Sequence, residues 1–328
     1  MRKGTRRSLL FILMALLSLC MAMSASAASP KVAKRTQAQI RKFIKEHPVK
    51  MNKKTTYKTK PKVKAPFKAG ELSAATNKNA LNMINQIRYI AGLDANVKIN
   101  KNFAKQAQAA ALVSRLNGSL LHEPEKPSKM SSSLYTLGKN GAGKSNLGRH
   151  YSTLPQEILY DWMSDSDETN IGRLAHRRWI LNPYFKQTGF GFVDDPSWPY
   201  TAIYVAGSEN YGFDDPPKNY NIVWPAQNTP ITFFNPVTDA WTVTTGKTET
   251  ASKVKVTLVR TRDKKKWVFS SKKHNGDFTV SNASFGQTDC IIFRPKNLKK
   301  IKAGDKFNVT ITGLVCGTLK YTVKFFKL

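Results

Sequence analysis

The chain has 328 residues, more than one ordinary domain requires, and carries 53 Lys and Arg against 21 Asp and Glu for a formal net charge of +32. Beyond the first two dozen residues no apolar run approaches the length of a membrane-spanning helix. Three cysteines in a chain of this size argue against an animal secreted protein.

The N-terminus reads as an export signal over residues 1–27. Arg2, Lys3, Arg6 and Arg7 form a basic start, residues 9–23 an apolar stretch, and Ala25-Ser26-Ala27 a small-x-small cleavage site. Cys20 follows Leu19, where lipid attachment wants a small residue, so soluble export is expected. Localisation is then secreted or envelope-associated, with no transmembrane segment once the signal is removed. Cys290 and Cys316 remain, both in strand-like surroundings, and read equally as one disulfide or as two buried free thiols.

Charge is partitioned. Residues 31–70 carry 14 Lys and Arg against Glu46 alone, residues 71–225 carry 16 against 14 acids, and residues 226–328 carry 19 against 6. A near-neutral middle is flanked by two basic pieces, which suits a polyanionic cell-wall polymer or an anionic membrane surface. It supplies no sequence-specific reading of nucleic acid.

Residues 28–70 alternate Lys with Thr, Val and Pro and read as an extended basic linker. One short helix interrupts it at residues 37–46, where Ile40, Phe43 and Ile44 share a face. A folded domain over residues 71–225 opens with Leu81, Ile84, Ile87 and Ile90 at helical spacing, with Gly92 at the C-cap. Asn100 starts a second, alanine-rich helix ending at Asn117-Gly118, and His122 follows.

Residues 124–153 read as a long Ser/Gly/Lys loop around one short turn. Its segment Gly141-Ala-Gly-Lys-Ser145 lacks the full spacing of a phosphate loop. A third helix fits residues 154–163. Asp165, Asp167 and Glu168 then precede residues 170–183, a block holding His176, three arginines and Trp179. Residues 188–192 and 201–206 read as strands, with turn aspartates at Asp194 and Asp214. Helices and hairpin-like strands without a βαβ rhythm indicate an α+β layered domain. Residues 226–328 hold six or seven short alternating strands and read as an all-β, immunoglobulin-like sandwich.

Five blocks in order resemble the CAP superfamily (cysteine-rich secretory proteins, antigen 5 and plant pathogenesis-related proteins) in its bacterial, cysteine-poor branch. They are Asn85-x-x-Arg88 with Ala91-Gly92-Leu93, the alanine-rich helix leading to His122, the Trp162 helix, residues 176–183, and Thr188-Gly-Phe-Gly191. The resemblance implies an α-β-α sandwich with a large cleft holding two histidines and two acids. By position the histidines are His122 and His176, and one acid is Asp165, with Asp167 close enough to substitute. Ser145, before Asn146, stands where the second carboxylate belongs. A zinc-like divalent cation on His122, His176 and Asp165 is the metal set this implies.

Two functions from different classes follow. One is a cleft that binds a ligand without efficient catalysis, and the other a metal-dependent hydrolase of peptide or cell-wall polymer. Lipid carriage is a third. Arg177 and Arg178 suit either an anionic ligand at the cleft mouth or ion pairs with Asp161, Asp165 and Asp167.

Overall fold

The computed structural model describes residues 31–207 and 220–328. The expected signal at residues 1–27 and the turn at Asp214 lie outside the described residues.

The N-terminal segment is the first departure from expectation. Strand β1 (Lys31–Val32) runs parallel to Tyr220 and Asn221, far along the chain. Helix α1 (Gln37–Glu46) lies where the pattern of Ile40, Phe43 and Ile44 places it, opened by a reciprocal capping box between Thr36 and Gln39. Ile40 is fully buried, and Phe43 stacks on Tyr89 with ring centroids 4.0 Å apart.

Residues beyond α1 are not an extended spacer. Side-chain amides of Asn79, Asn82 and Gln86 bond the backbone carbonyls of Lys50, Pro48 and His47. Strand β2 (Tyr57–Thr59) pairs antiparallel with β3 (Glu71–Leu72). Lys53, Lys54, Lys58, Lys60, Lys62, Lys64 and Lys68 all face solvent, so their mutual repulsion is screened while the backbone polar groups are satisfied internally.

Helix α2 (Ala74–Ile90) starts at the Ser73 cap and buries Met83, Ile84, Ile87 and Ile90. After β4 (Lys98–Ile99), helix α3 (Lys101–Asn117) begins at Asn100, whose side chain accepts from the amides of Asn102 and Phe103, and ends at left-handed Gly118. Residues expected as loop contain helix α4 (Ser132–Ala142), capped by Ser131. Gly141 reads as a breaker, yet a Cβ there would stand 2.1 Å from the Gln106 carbonyl oxygen. Its glycine is what lets α4 press against alanine-rich α3.

Strand β5 (Ser145–Gly148) follows. Helix α5 (Leu154–Gln156) then runs into a π-helical turn, Glu157–Trp162, and helix α6 (Ala175–Ile180) comes next. Strand β6 (Gln187–Thr188) pairs with β4, while β7 (Phe190–Val193) and β8 (Tyr200–Tyr204) join β5 in an antiparallel sheet of order β5-β8-β7. One face of this sheet gives Phe190, Phe192 and Ile203 to the core shared with α2 and the π-turn. Its other face gives Val193, Ala202 and Tyr204 to α3. Three layers result, helices on both sides of the sheet, as an α-β-α sandwich requires.

The C-terminal unit is two five-stranded sheets. Strands β9 (Tyr220–Trp224), β10 (Asn228–Pro230), β11 (Trp241–Thr244), β12 (Lys255–Arg260) and β13 (Lys266–Phe269) come first. Strands β14 (Gly276–Ser281), β15 (Cys290–Pro295), β16 (Lys306–Leu314) and β17 (Gly317–Phe326) complete it. The sheet orders are β1-β9-β11-β15-β14 and β10-β17-β16-β12-β13. They close face to face through Trp241 of one sheet, whose ring lies 5.4 Å from Phe307 of the other. Strand β9, within the span expected for the preceding domain, pairs with β11 and so extends a sheet of this sandwich. Cys290 and Cys316 are both free thiols, Cys290 buried beside Thr244.

Candidate functional site

The site gathers around β5. Asn146 donates its amide to the His176 carbonyl at 3.1 Å, and the Trp162 indole donates to the Leu147 carbonyl at 3.0 Å. Strand β5 is thereby clamped between α6 and the π-turn. His122, just beyond α3, donates Nδ1 to the Ala142 carbonyl at 2.8 Å. The two histidines are thus fastened to residues on either side of Ser145.

Asp165 and His176 form one unit. The His176 ring donates Nδ1–H to Asp165 Oδ1 at 2.9 Å, and its backbone N–H donates to Oδ2 at 2.9 Å. Both backbones approaching this contact are unusual: Asp165 has φ 51° and Leu174, just before α6, has φ 47°. Asp tolerates the left-handed region, whereas a buried leucine there stores strain of roughly 1–3 kcal/mol, held by the packing around it. Burial opposes a charged His176 most strongly, but Asp165, with Asp161 and Asp167 behind it, outweighs burial and raises the imidazole pKa. The side chain of His176 keeps 20% of its surface exposed while that of Asp165 has none. With Nδ1 committed, Nε2 is the nitrogen left for a ligand.

Asp165 therefore orients His176 and is not a metal ligand. The set His122, His176 and Asp165 is not brought together as a three-donor group; among the described residues the only such group within 4.8 Å lies elsewhere. The residues present do not fit the three-ligand zinc-like site that the resemblance implies. Asp167 does not replace Asp165, because it closes a local turn, accepting from Thr169 and Asn170. Burial alone would raise its pKa, but those hydrogen bonds outweigh burial and hold the carboxyl below its usual range. Ser145 is buried in β5, and its hydroxyl has no hydrogen-bond partner.

The two arginines serve neither role expected of them. Arg177, fully buried, donates to the carbonyls of Met163, Ser164 and Ala240. Arg178 reaches the carbonyls of Ala283 and Gln287 and lies over the Phe285 ring, 4.9 Å from its centroid. Ala240, Ala283 and Gln287 belong to the sandwich, so α6 fastens the two units together.

Sequence reasoning missed His150 and Glu157, and weighed Asp161 only as an arginine partner. These three place one ligand atom each within 4.8 Å of one another. Glu157 is fully buried and accepts from the amides of His150 and Tyr151. Burial first, then Asp161, pushes its carboxyl well above the usual range. The available signal was two acids four residues apart on one helix with a histidine just before it.

No curated protein and no solved structure matches the chain. Residues 81–227 match the model of the cysteine-rich secretory protein family. That span contains α3, β5, the π-turn, α6 and the three-stranded sheet, and with them His122, Ser145 and His176. The chain carries a CAP domain of the cysteine-rich secretory protein family.

Proposed function

We propose that this is an exported protein held at the cell envelope by its basic surfaces, whose CAP domain binds a ligand through His122, Ser145 and His176 without turning it over. The observation that carries this reading is the state of the carboxylates. Both oxygens of Asp165 accept from His176, Asp167 closes its own turn, and a buried neutral hydroxyl stands at Ser145. A hydrolase needs a free base near its nucleophile. A binding face needs donors, and a raised-pKa His176 with Nε2 free is one. The ligand that fits is an acceptor-bearing group such as a carboxylate, phosphate or carbonyl.

Charge supports the envelope half. The exposed lysines between α1 and β3 form a basic ribbon on an ordered surface, and the sandwich adds 19 Lys and Arg against 6 acids. We read that sandwich as an immunoglobulin-like spacer, because its first strands, β9 and β10, divide between two sheets closed by Greek-key-like crossings.

Co-sedimentation with bacterial walls tests the proposal. The purified chain is expected to pellet with teichoic-acid-bearing walls, less with walls stripped of the polymer, and less as salt rises. Equal retention on stripped walls contradicts the envelope reading.

A further inference from the structure

We propose a second site, distinct from the His122–Ser145–His176 face: a divalent transition-metal site formed by His150, Glu157 and Asp161, with the Thr201 hydroxyl beside it. Three features place it. The first is convergence. One atom from each of His150, Glu157 and Asp161 lies within 4.8 Å of the others, and His150 Nδ1 stands 3.3 Å from Asp161 Oδ1. Ligands at about 2.1 Å from one tetrahedral ion stand about 3.4 Å apart, so the set closes with small side-chain movements. The two outer members have room for them: the side chains of His150 and Asp161 are 66% and 25% exposed.

The second feature is a buried anchor with a shaped place for it. Glu157 is fully buried, held by the amides of His150 and Tyr151. Its carboxylate lies under Gly148, where a Cβ would stand 2.0 Å from Glu157 Oε1. Only glycine in β5 makes room for that carboxylate. The third is an unanswered polar atom. Thr201 is completely buried, and its hydroxyl oxygen lies 2.8 Å from the same point above Gly148. It has no hydrogen-bond partner. A hydroxyl buried without a partner is destabilising, because its lost hydration is not replaced. An ion held by the Glu157 carboxylate, or a water carried by one, would answer both it and the carboxylates.

The chemistry selects the ion. One imidazole and two carboxylates suit zinc, cobalt or manganese, whereas magnesium and calcium favour all-oxygen sets. Three protein donors leave at least one coordination position open. Tyr151 and Tyr160, which flank His150 and Asp161 in sequence, line a groove of about 540 Å³ between the CAP domain and the sandwich. An oxygen ligand on the ion would be reached from that groove.

The test uses the full chain without an affinity tag, freed of metal by chelation, and titrated with cobalt and zinc. Cobalt absorbance reports the coordination geometry, and calorimetry the stoichiometry. One equivalent is expected for the native chain. His150→Ala and Asp161→Asn are each expected to lose at least about tenfold in affinity, with unchanged circular dichroism. His122→Ala and His176→Ala are expected to bind as the native chain does, which separates this site from the cleft face. Absence of binding by the native chain, native affinity in folded His150→Ala, or loss in His176→Ala would overturn the assignment. Glu157→Gln, which keeps the acceptor for the two amides, is expected to bind more weakly while melting as a folded protein.

Discussion

At the scale of single residues, the pairing of His176 with Asp165 sets the character of the site. Its imidazole pKa is raised in the folded protein. Stability from the pair is therefore fully present below the unfolded value, about 6.5, and is lost as pH rises through the raised folded value. Denaturant unfolding from mildly acidic to mildly alkaline pH should show the native chain losing stability across that window. His176→Asn should be less stable at low pH and should lack this part of the slope. An identical slope in the variant would show that the titration belongs to another group. Asp165 and His176 were candidate neighbours in the sequence, and the structure joins them. Their division of labour was not legible there, because only geometry shows that Asp165 holds the His176 ring and backbone. For His150, Glu157 and Asp161 the sequence held only the spacing of the two acids, since their convergence with His150 depends on the loop after β5 folding back over a π-turn.

Secondary-structure elements show the same division between pattern and context. Helix α1 was legible because Ile40, Phe43 and Ile44 make an apolar face. The segment after it was not, because its fixing partners are Asn79, Asn82 and Gln86, amides on α2 that a hydropathy pattern assigns to solvent. Helix α4 was hidden by glycines that serve close packing. Arg177 and Arg178 were misassigned because their acceptors are carbonyls, many of them in a unit more than sixty residues away. These contacts make the N-terminal segment part of the fold. Ile40→Ala should cost about 2–5 kcal/mol of unfolding free energy, as for other fully buried aliphatics. A solvated spacer would lose almost nothing, so a change within experimental error in a denaturant titration would contradict the packed arrangement.

Across the whole molecule, one basic arm contacts both folded units. Strand β1 extends the sandwich, while α1 packs on α2 and sets Arg41 over Phe326 at the end of β17, 4.9 Å from the ring centroid. Asn228 and Gln227 bond the arm's carbonyls at Arg35 and Val32. Order in this arm gives the exposed lysines a fixed surface, so under the proposed function electrostatic attraction and recognition by His122, Ser145 and His176 would act from one body. The two contributions respond differently to salt. Attraction by exposed lysines is largely screened at about 1 M salt, where the Debye length is about 3 Å, whereas hydrogen bonds from a partly buried imidazole are screened much less.

The most direct measurement is therefore retention on teichoic-acid-bearing walls at about 1 M salt for the native chain and for His176→Asn. The account predicts a residual, saturable fraction for the native chain that His176→Asn loses, while both bind alike at low salt. No residual fraction in the native chain, or an equal one in the variant, would contradict recognition through the His176 face.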